Sequence, residues 1–236
     1  MFFLLMHLKT LFTSLSASIL HASAHARRTG AISLGVFLFI WAAFSGAHLL
    51  QMRGYLASEQ WLLFTDGGYA EYAEHILLLI ASGAFLKLFL RSRDAAYAVI
   101  AVILVYITAD NALRLHEIVG EHYADAGFGA PLSRLLPKQY GEVLFLGAAG
   151  AILLTALFLA ARKAVAPARQ AAWIIAALIL CIGLFSAVID TVGGMAGIWQ
   201  LVFLEDCGEF FTIALIAAYA MFLTAKLSPH NGPATG

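Results

Sequence analysis

Acids and histidines gather in a few short stretches of an otherwise apolar chain. The groups are Glu71, Glu74 and His75; Asp110, His116, Glu117 and Glu121; Glu142; Asp190; and Glu205, Asp206 and Glu209. Carboxylate oxygens combined with imidazole nitrogens suit iron, manganese or zinc. The two cysteines, Cys181 and Cys207, form no CxxC pair and sit in or beside apolar segments. They read as small buried hydrophobes, and without convergent thiolates copper(I) and iron–sulfur chemistry is disfavoured.

Spacing sharpens the picture. Glu71 and His75 stand at i and i+4, with Glu74 adjacent and Ser82 further along the same face. Asp110, Arg114, Glu117 and Glu121 recur at i, i+4, i+7 and i+11, which on one continuous helix makes a single stripe. His116 lies roughly 100° round from Glu117 and borders that stripe. Glu205 and Glu209 share a face, and His48 shares one with Ser45 and Met52. The best metal-ligand candidates are therefore Glu71, His75, His116, Glu117, Glu142 and Glu209, drawn from four helices and sufficient for two carboxylate-bridged metals. Asp110 and Glu117 are the candidate proton acceptors. Glu74, Arg114, Asp190, His48 and Glu205 form the supporting set. By analogy the pattern is similar to the di-iron carboxylate bundles, which combine glutamates with Glu-x-x-His motifs. This chain has Glu71-x-x-x-His75 and Glu74-His75 instead, so the analogy extends only to a carboxylate-bridged site.

The elements that must carry these residues are membrane helices. Hydrophobic residues make up 62% of the 236 and charged residues only 12%, with mean hydropathy +0.87. A soluble domain carries about 25% charged residues. Net charge is zero, which excludes a nucleic-acid-binding or polybasic surface. Stretches of about 20 apolar residues, the length of a span, predict helices at Ala31–Met52, Tyr69–Leu90, Ala95–Ile118, Tyr140–Ala161, Ala171–Asp190 and Trp199–Leu223. The alternating ten-residue segments of a barrel are absent. The fold class expected is thus an all-α, polytopic bundle of six transmembrane helices. The longest connection expected is 119–139, and the glycine-rich stretch 192–197 reads as a turn.

Ten of the fourteen lysines and arginines fall at one end of these spans if the N-terminus is cytoplasmic; Arg53, Arg114, Arg134 and Lys138 fall at the other. The positive-inside rule then gives N-in, C-in topology, in a plasma membrane such as the bacterial inner membrane. Leu4, Leu8, Leu11, Leu15 and Ile19 share one helical face, which predicts an amphipathic segment on the inner surface within residues 1–29. A targeting segment is the other reading of that stretch. Residues 30–226 form the six-helix domain, and 227–236 a disordered tail.

On this topology thirteen of the fourteen acids lie at the outer, periplasm-facing end, although acids contribute little to orientation. Asp110 sits about 12 Å deep, at 1.5 Å per residue. Helix dipoles account for Glu71, Glu142 and Glu205, which begin their helices, but disfavour Asp110, Glu117 and Asp190, which end theirs. Glu59, Asp66 and Asp125 read as solvated loop residues. A buried Asp110–Arg114 pair would explain the third span alone, yet one arginine cannot balance the remaining acids. Bound metal, protons or a cationic substrate must supply the rest. The leading expectation is a metal-dependent membrane enzyme, hydrolytic or oxidative, acting on a lipid or small molecule from the outer leaflet. A cation or proton transporter is the alternative, disfavoured because the inner two-thirds of the spans is almost free of polar groups. A haem carrier using His48, His75 or His116, or a non-catalytic membrane subunit, are further readings.

Overall fold

The computed structural model of the chain describes residues 19–20, 22–63, 65, 67–129, 136–189 and 199–228. The expected amphipathic segment up to residue 18, the glycine-rich turn, Asp190 and the tail from 229 lie outside the described residues. Among the described residues every regular element is helical. The helices are α1 (Ala24–Met52), α2 (Tyr69–Ser92), α3 (Ala95–Leu113), α4 (Leu115–Asp125), α5 (Pro137–Lys163), α6 (Ala166–Gly183) and α7 (Trp199–Lys226). A 3-10 turn at Glu59–Trp61 interrupts the α1–α2 connection, and a π turn at Leu184–Ile189 extends α6. Among the described residues six helices, all but α4, are long and apolar enough to cross a membrane. The chain thus has the all-helical make-up and the long apolar helices of an integral membrane protein.

Local chemistry sets the helix ends. Ser23 Oγ accepts the Ala26 N–H at the start of α1, seven residues before the span expected from hydropathy. Pro137 and Pro167 occupy the first turns of α5 and α6, where a missing N–H costs nothing. Arg93 takes a left-handed conformation (φ 58°) to close α2, and Asp94 then caps α3 by accepting the Ala96 N–H. The second Asp94 oxygen accepts the Val165 N–H at 2.9 Å, tying the α2–α3 turn to the start of α6.

The third span is the main departure from the sequence reading. A continuous helix over Ala95–Ile118 was expected, but α3 stops at Leu113 because Arg114 adopts φ 51° and ψ 44°. A single left-handed residue breaks the hydrogen-bond ladder and redirects the chain. The stripe Asp110–Arg114–Glu117–Glu121 is therefore not one helical face. The stretch expected as the long loop 119–139 begins as the second half of α4.

Packing follows membrane rules, where burial from water cannot drive helix association and close approach does. Helix α7 is central: it packs against α1, α2 and α6, and 61% of its apolar window is buried, against 6% for α1 and for α5. Ala214, Ala217, Ala218 and Ala220 supply its small contact surface. Phe85, Tyr97, Phe210 and Ile213 fill the spaces between helices, and Ser82 Oγ donates across to the Ala101 carbonyl at 3.0 Å. At the other end α4 lies on α5 through facing glycines. A Cβ on Gly141 would stand 3.0 Å from Gly120 Cα and 2.7 Å from Tyr123 Cβ, and one on Gly120 would stand 2.8 Å from the Lys138 carbonyl. Leucine at Gly141 would force α4 away from α5. The expected result is destabilisation by about 1–3 kcal/mol, seen as a lower melting temperature in detergent, while Gly147→Ala, whose added Cβ meets nothing within 4 Å, does not lower it.

Candidate functional site

A cavity of about 370 Å³ lies where the acid-rich ends of the helices meet. Helix α2 contributes Glu71 and Glu74; α3 contributes Asp110 and Asn111; Arg114 stands at the break; α4 contributes His116 and Glu117. Gln139, Glu142, Val143 and Leu146 come from α5, Ser186 from the π turn, and Val202, Glu205, Asp206 and Glu209 from α7. Leu63 and Thr65 close one side from the α1–α2 connection. Eight carboxylates thus face a space in which Arg114 is the only lysine or arginine among the lining residues. Depth alone implied this convergence; the packing of α7 against α2 delivers it.

The helix break creates the site's best-defined pair. On one continuous helix residues 110 and 116 would be about 9 Å apart along the axis and on different faces. The turn at Arg114 instead brings His116 Nδ1 to 3.2 Å from Asp110 Oδ2. Asp110 is 3% exposed, and its Oδ1 has no hydrogen-bond partner among the described residues. The Asp110 hydrogen bond raises the His116 pKa above its ordinary value, with burial working against it and the charges of Asp110, Glu117 and Glu142 adding to the rise. A carboxylate on Nδ1 fixes the ring's orientation and leaves Nε2 as the nitrogen available for other chemistry.

Lys138 is the residue that sequence reasoning missed. Its Nζ lies 3.2 Å from Glu121, 3.5 Å from Glu117 and 3.7 Å from Glu142, so it pins α4 to α5. Arg114 Nε is 3.9 Å from Glu117. The deficit of positive charge is therefore smaller than expected, because Glu117 and Glu142, both ligand candidates, already pair with Lys138. The i, i+4 spacing of Lys138 and Glu142 was the available signal. Asn111, Gln139 and Ser186 also line the cavity without having been singled out as site residues.

Other candidates fall beside the cavity. Glu71 accepts the Gly67 N–H at 2.5 Å and lies 3.7 Å from His75 Nε2, but His75 itself does not line the space. His48 is buried away from it, where Nδ1 accepts the Leu63 N–H at 3.0 Å and the ring packs 4.9 Å from Phe203. Its role is to hold the connection that closes the cavity. Glu74 is 9% exposed, and its electrostatic neighbours are the carboxylates of Asp206, Glu71 and Glu205. Among the described residues no three His, Cys, Asp or Glu side chains stand together closely enough to hold a metal ion.

A raised folded pKa means that the Asp110–His116 pair stabilises the fold fully below the unfolded histidine value, near 6.5. That contribution is lost as pH rises through the folded value. Histidine NMR in detergent should show His116 titrating above the model-peptide value, and Asp110→Asn should move it downward. A His116 titration unchanged by that substitution would remove the pair.

No curated protein and no solved structure matches the chain. A family match does extend over residues 72–223, which span most of α2 through nearly all of α7 and include every acid lining the cavity except Glu71. The chain belongs to the DUF8692 family, a domain of unknown function.

Proposed function

We propose that this protein binds a divalent metal ion, iron, manganese or zinc, in the acid-lined cavity. The metal would serve a hydrolytic or oxidative reaction on a lipid or small molecule that arrives from the outer side of the membrane. The observation that carries the reading is the set of eight carboxylates around one cavity: Lys138 pairs with Glu117 and Glu142 and His116 with Asp110, while Glu71, Glu74, Glu205, Asp206 and Glu209 gather on the α2–α7 side. Buried like charges are costly unless a cation compensates them. The α2 and α7 acids Glu71, Glu74, Glu205 and Glu209 form the wall that such an ion would approach, and movement of these side chains is required before three of them can ligate it. A bound metal supplies Lewis acidity or an activated water. The Asp110–His116 pair stands beside that wall as the proton acceptor and donor. The bias of lysine and arginine toward the opposite end supports an outward-facing site with both termini in the cytoplasm.

Transport of a cation or proton through the same vestibule is the second reading, and two observations favour it. The α3–α4 break and the π turn at Leu184–Ile189 both fall at the cavity, and interrupted helices commonly build ion sites in transporters. Against it, the buried hydroxyls of Ser82, Thr108 and Thr212 are committed to helix carbonyls, which leaves no polar relay among those groups.

Elemental analysis of protein purified without chelator decides between them. One or two metal equivalents, lost in both Glu71→Gln and Glu209→Gln, are expected. A metal-free native protein would overturn the metal reading and leave the cavity as a vestibule for other cations.

A further inference from the structure

Helix α4 has 11 residues, well short of the roughly 20 that a span needs, and it follows α3 with only Arg114 between them. Helix α3 has 19 residues, which at 1.5 Å each makes about 28 Å, close to the ~30 Å hydrocarbon core of a bilayer. Asp94 and Arg114 flank it, so a charged residue stands at either end of the span. The chain therefore leaves the hydrocarbon where α4 begins.

At 100° per residue α4 has two distinct sides. His116 and Glu117 line the cavity, and Gly120 is the buried contact with Gly141 of α5. Ile118 and Val119 lie about 200° round from His116 and Glu117 and are 46% and 38% exposed. Leu115 falls between them on the same side. The exposed apolar residues of α3, Val102, Val105 and Leu113, run up to the break, and Ile118 and Val119 resume the series beyond it. Glu121, which pairs with Lys138, and Asp125 lie along one edge of this side. His122 Nδ1 donates to the Ile118 carbonyl at 2.7 Å, so part of that ring's polarity is satisfied within the helix.

The far end of α4 supplies a separate pointer. Tyr123 packs with its ring 5.1 Å from Phe128 and 5.7 Å from Tyr140. Tyrosines concentrate at the boundary between hydrocarbon and water. Depth, the continued apolar series and this aromatic cluster all place α4 at that boundary.

We infer that α4 is an interfacial helix: its Leu115–Ile118–Val119 side beds in the lipid leaflet at the acid-rich end of the bundle. Glu121 and Asp125 face water, and His116 and Glu117 face the cavity from the opposite side. A short helix with one apolar and one polar face binds a membrane surface in this way. A single helix then separates the acid-lined cavity from lipid. This rests on the reading of the chain as membrane-spanning and not on the metal.

The test is spin labelling of the full-length protein in phosphatidylcholine–phosphatidylglycerol vesicles. The background is Cys181→Ala, in which the remaining Cys207 is buried. Labels on Ile118→Cys and Val119→Cys should be relaxed more by oxygen, which concentrates in lipid, than by a water-soluble nickel chelate. The order should reverse on Asp125→Cys. Val105→Cys, on the exposed face of α3, reports whether the chain spans at all, so failure of the span and failure of the α4 seat read differently. Labels at 118 and 119 that favour the nickel chelate would overturn the inference. So would labels shielded from both reagents, which would mean that a protein partner or a second copy covers this side. An apolar carbene reagent dissolved in the bilayer gives a check on the unsubstituted chain: adducts are expected on the Leu115–Val119 peptide, and adducts on α3 without any there would also overturn it.

Discussion

Carboxylates gathered in a lipid-embedded bundle meet two costs at once, loss of water and mutual repulsion, and the architecture at the acidic end is a set of responses to both. On the α3–α5 side the response is pairing. The left-handed residue at Arg114 turns His116 back onto Asp110, and Lys138 reaches Glu117, Glu121 and Glu142. On the α2–α7 side the acids face a shared space, and Glu74 has three other carboxylates as its electrostatic neighbours. The two walls differ in chemistry: one carries the Asp110–His116 pair and the Lys138 contacts, and the other gathers carboxylates of α2 and α7 on one side of the cavity.

The fold holds these walls together through close backbone approach rather than bulk. Helix α7 carries three of the lining acids at one end and an alanine-rich contact surface further along, so the packing that anchors it in the bundle also fixes Glu205, Asp206 and Glu209. Gly208 sits among those acids, and a Cβ there would run into the Phe185 ring of the π turn. The same logic operates at Gly120 and Gly141, where α4 rests on α5. Small residues at these contacts let the polar groups of different helices share one cavity, and each is a place where an added side chain would separate them.

Much of this was legible in the sequence. Long apolar runs are an unambiguous signal, and the α2 and α7 spans begin at Tyr69 and Trp199 as expected. The clustering of acids at one end followed from depth along each span. The break at Arg114 was not legible, because arginine carries no intrinsic preference for the left-handed region and the apolar pattern continues through Leu115 and Ile118. The stripe drawn across that break was consequently wrong in geometry although Asp110, Arg114 and Glu117 do line one space. Sequence position places Lys138 only at the outer end of its span; its reach to Glu117, Glu121 and Glu142 exists only once α4 packs on α5. His75 and His48 were read as inward-facing on type and spacing, while the rotation of α2 and the seating of Phe203 against His48 are products of tertiary packing that no single-helix argument contains.

Mutual repulsion among the cavity acids is the central claim, and the thermal stability of Glu74→Gln in metal-free protein at alkaline pH tests it most directly. Glutamine preserves shape and removes one charge from beside Asp206, Glu71 and Glu205. The expected result is a melting temperature a few degrees above that of the unsubstituted protein, since relieving a like-charge contact stabilises the fold. A lower melting temperature would contradict the account, because it would mean that the Glu74 charge is already compensated within the protein and that the cavity does not wait for a cation.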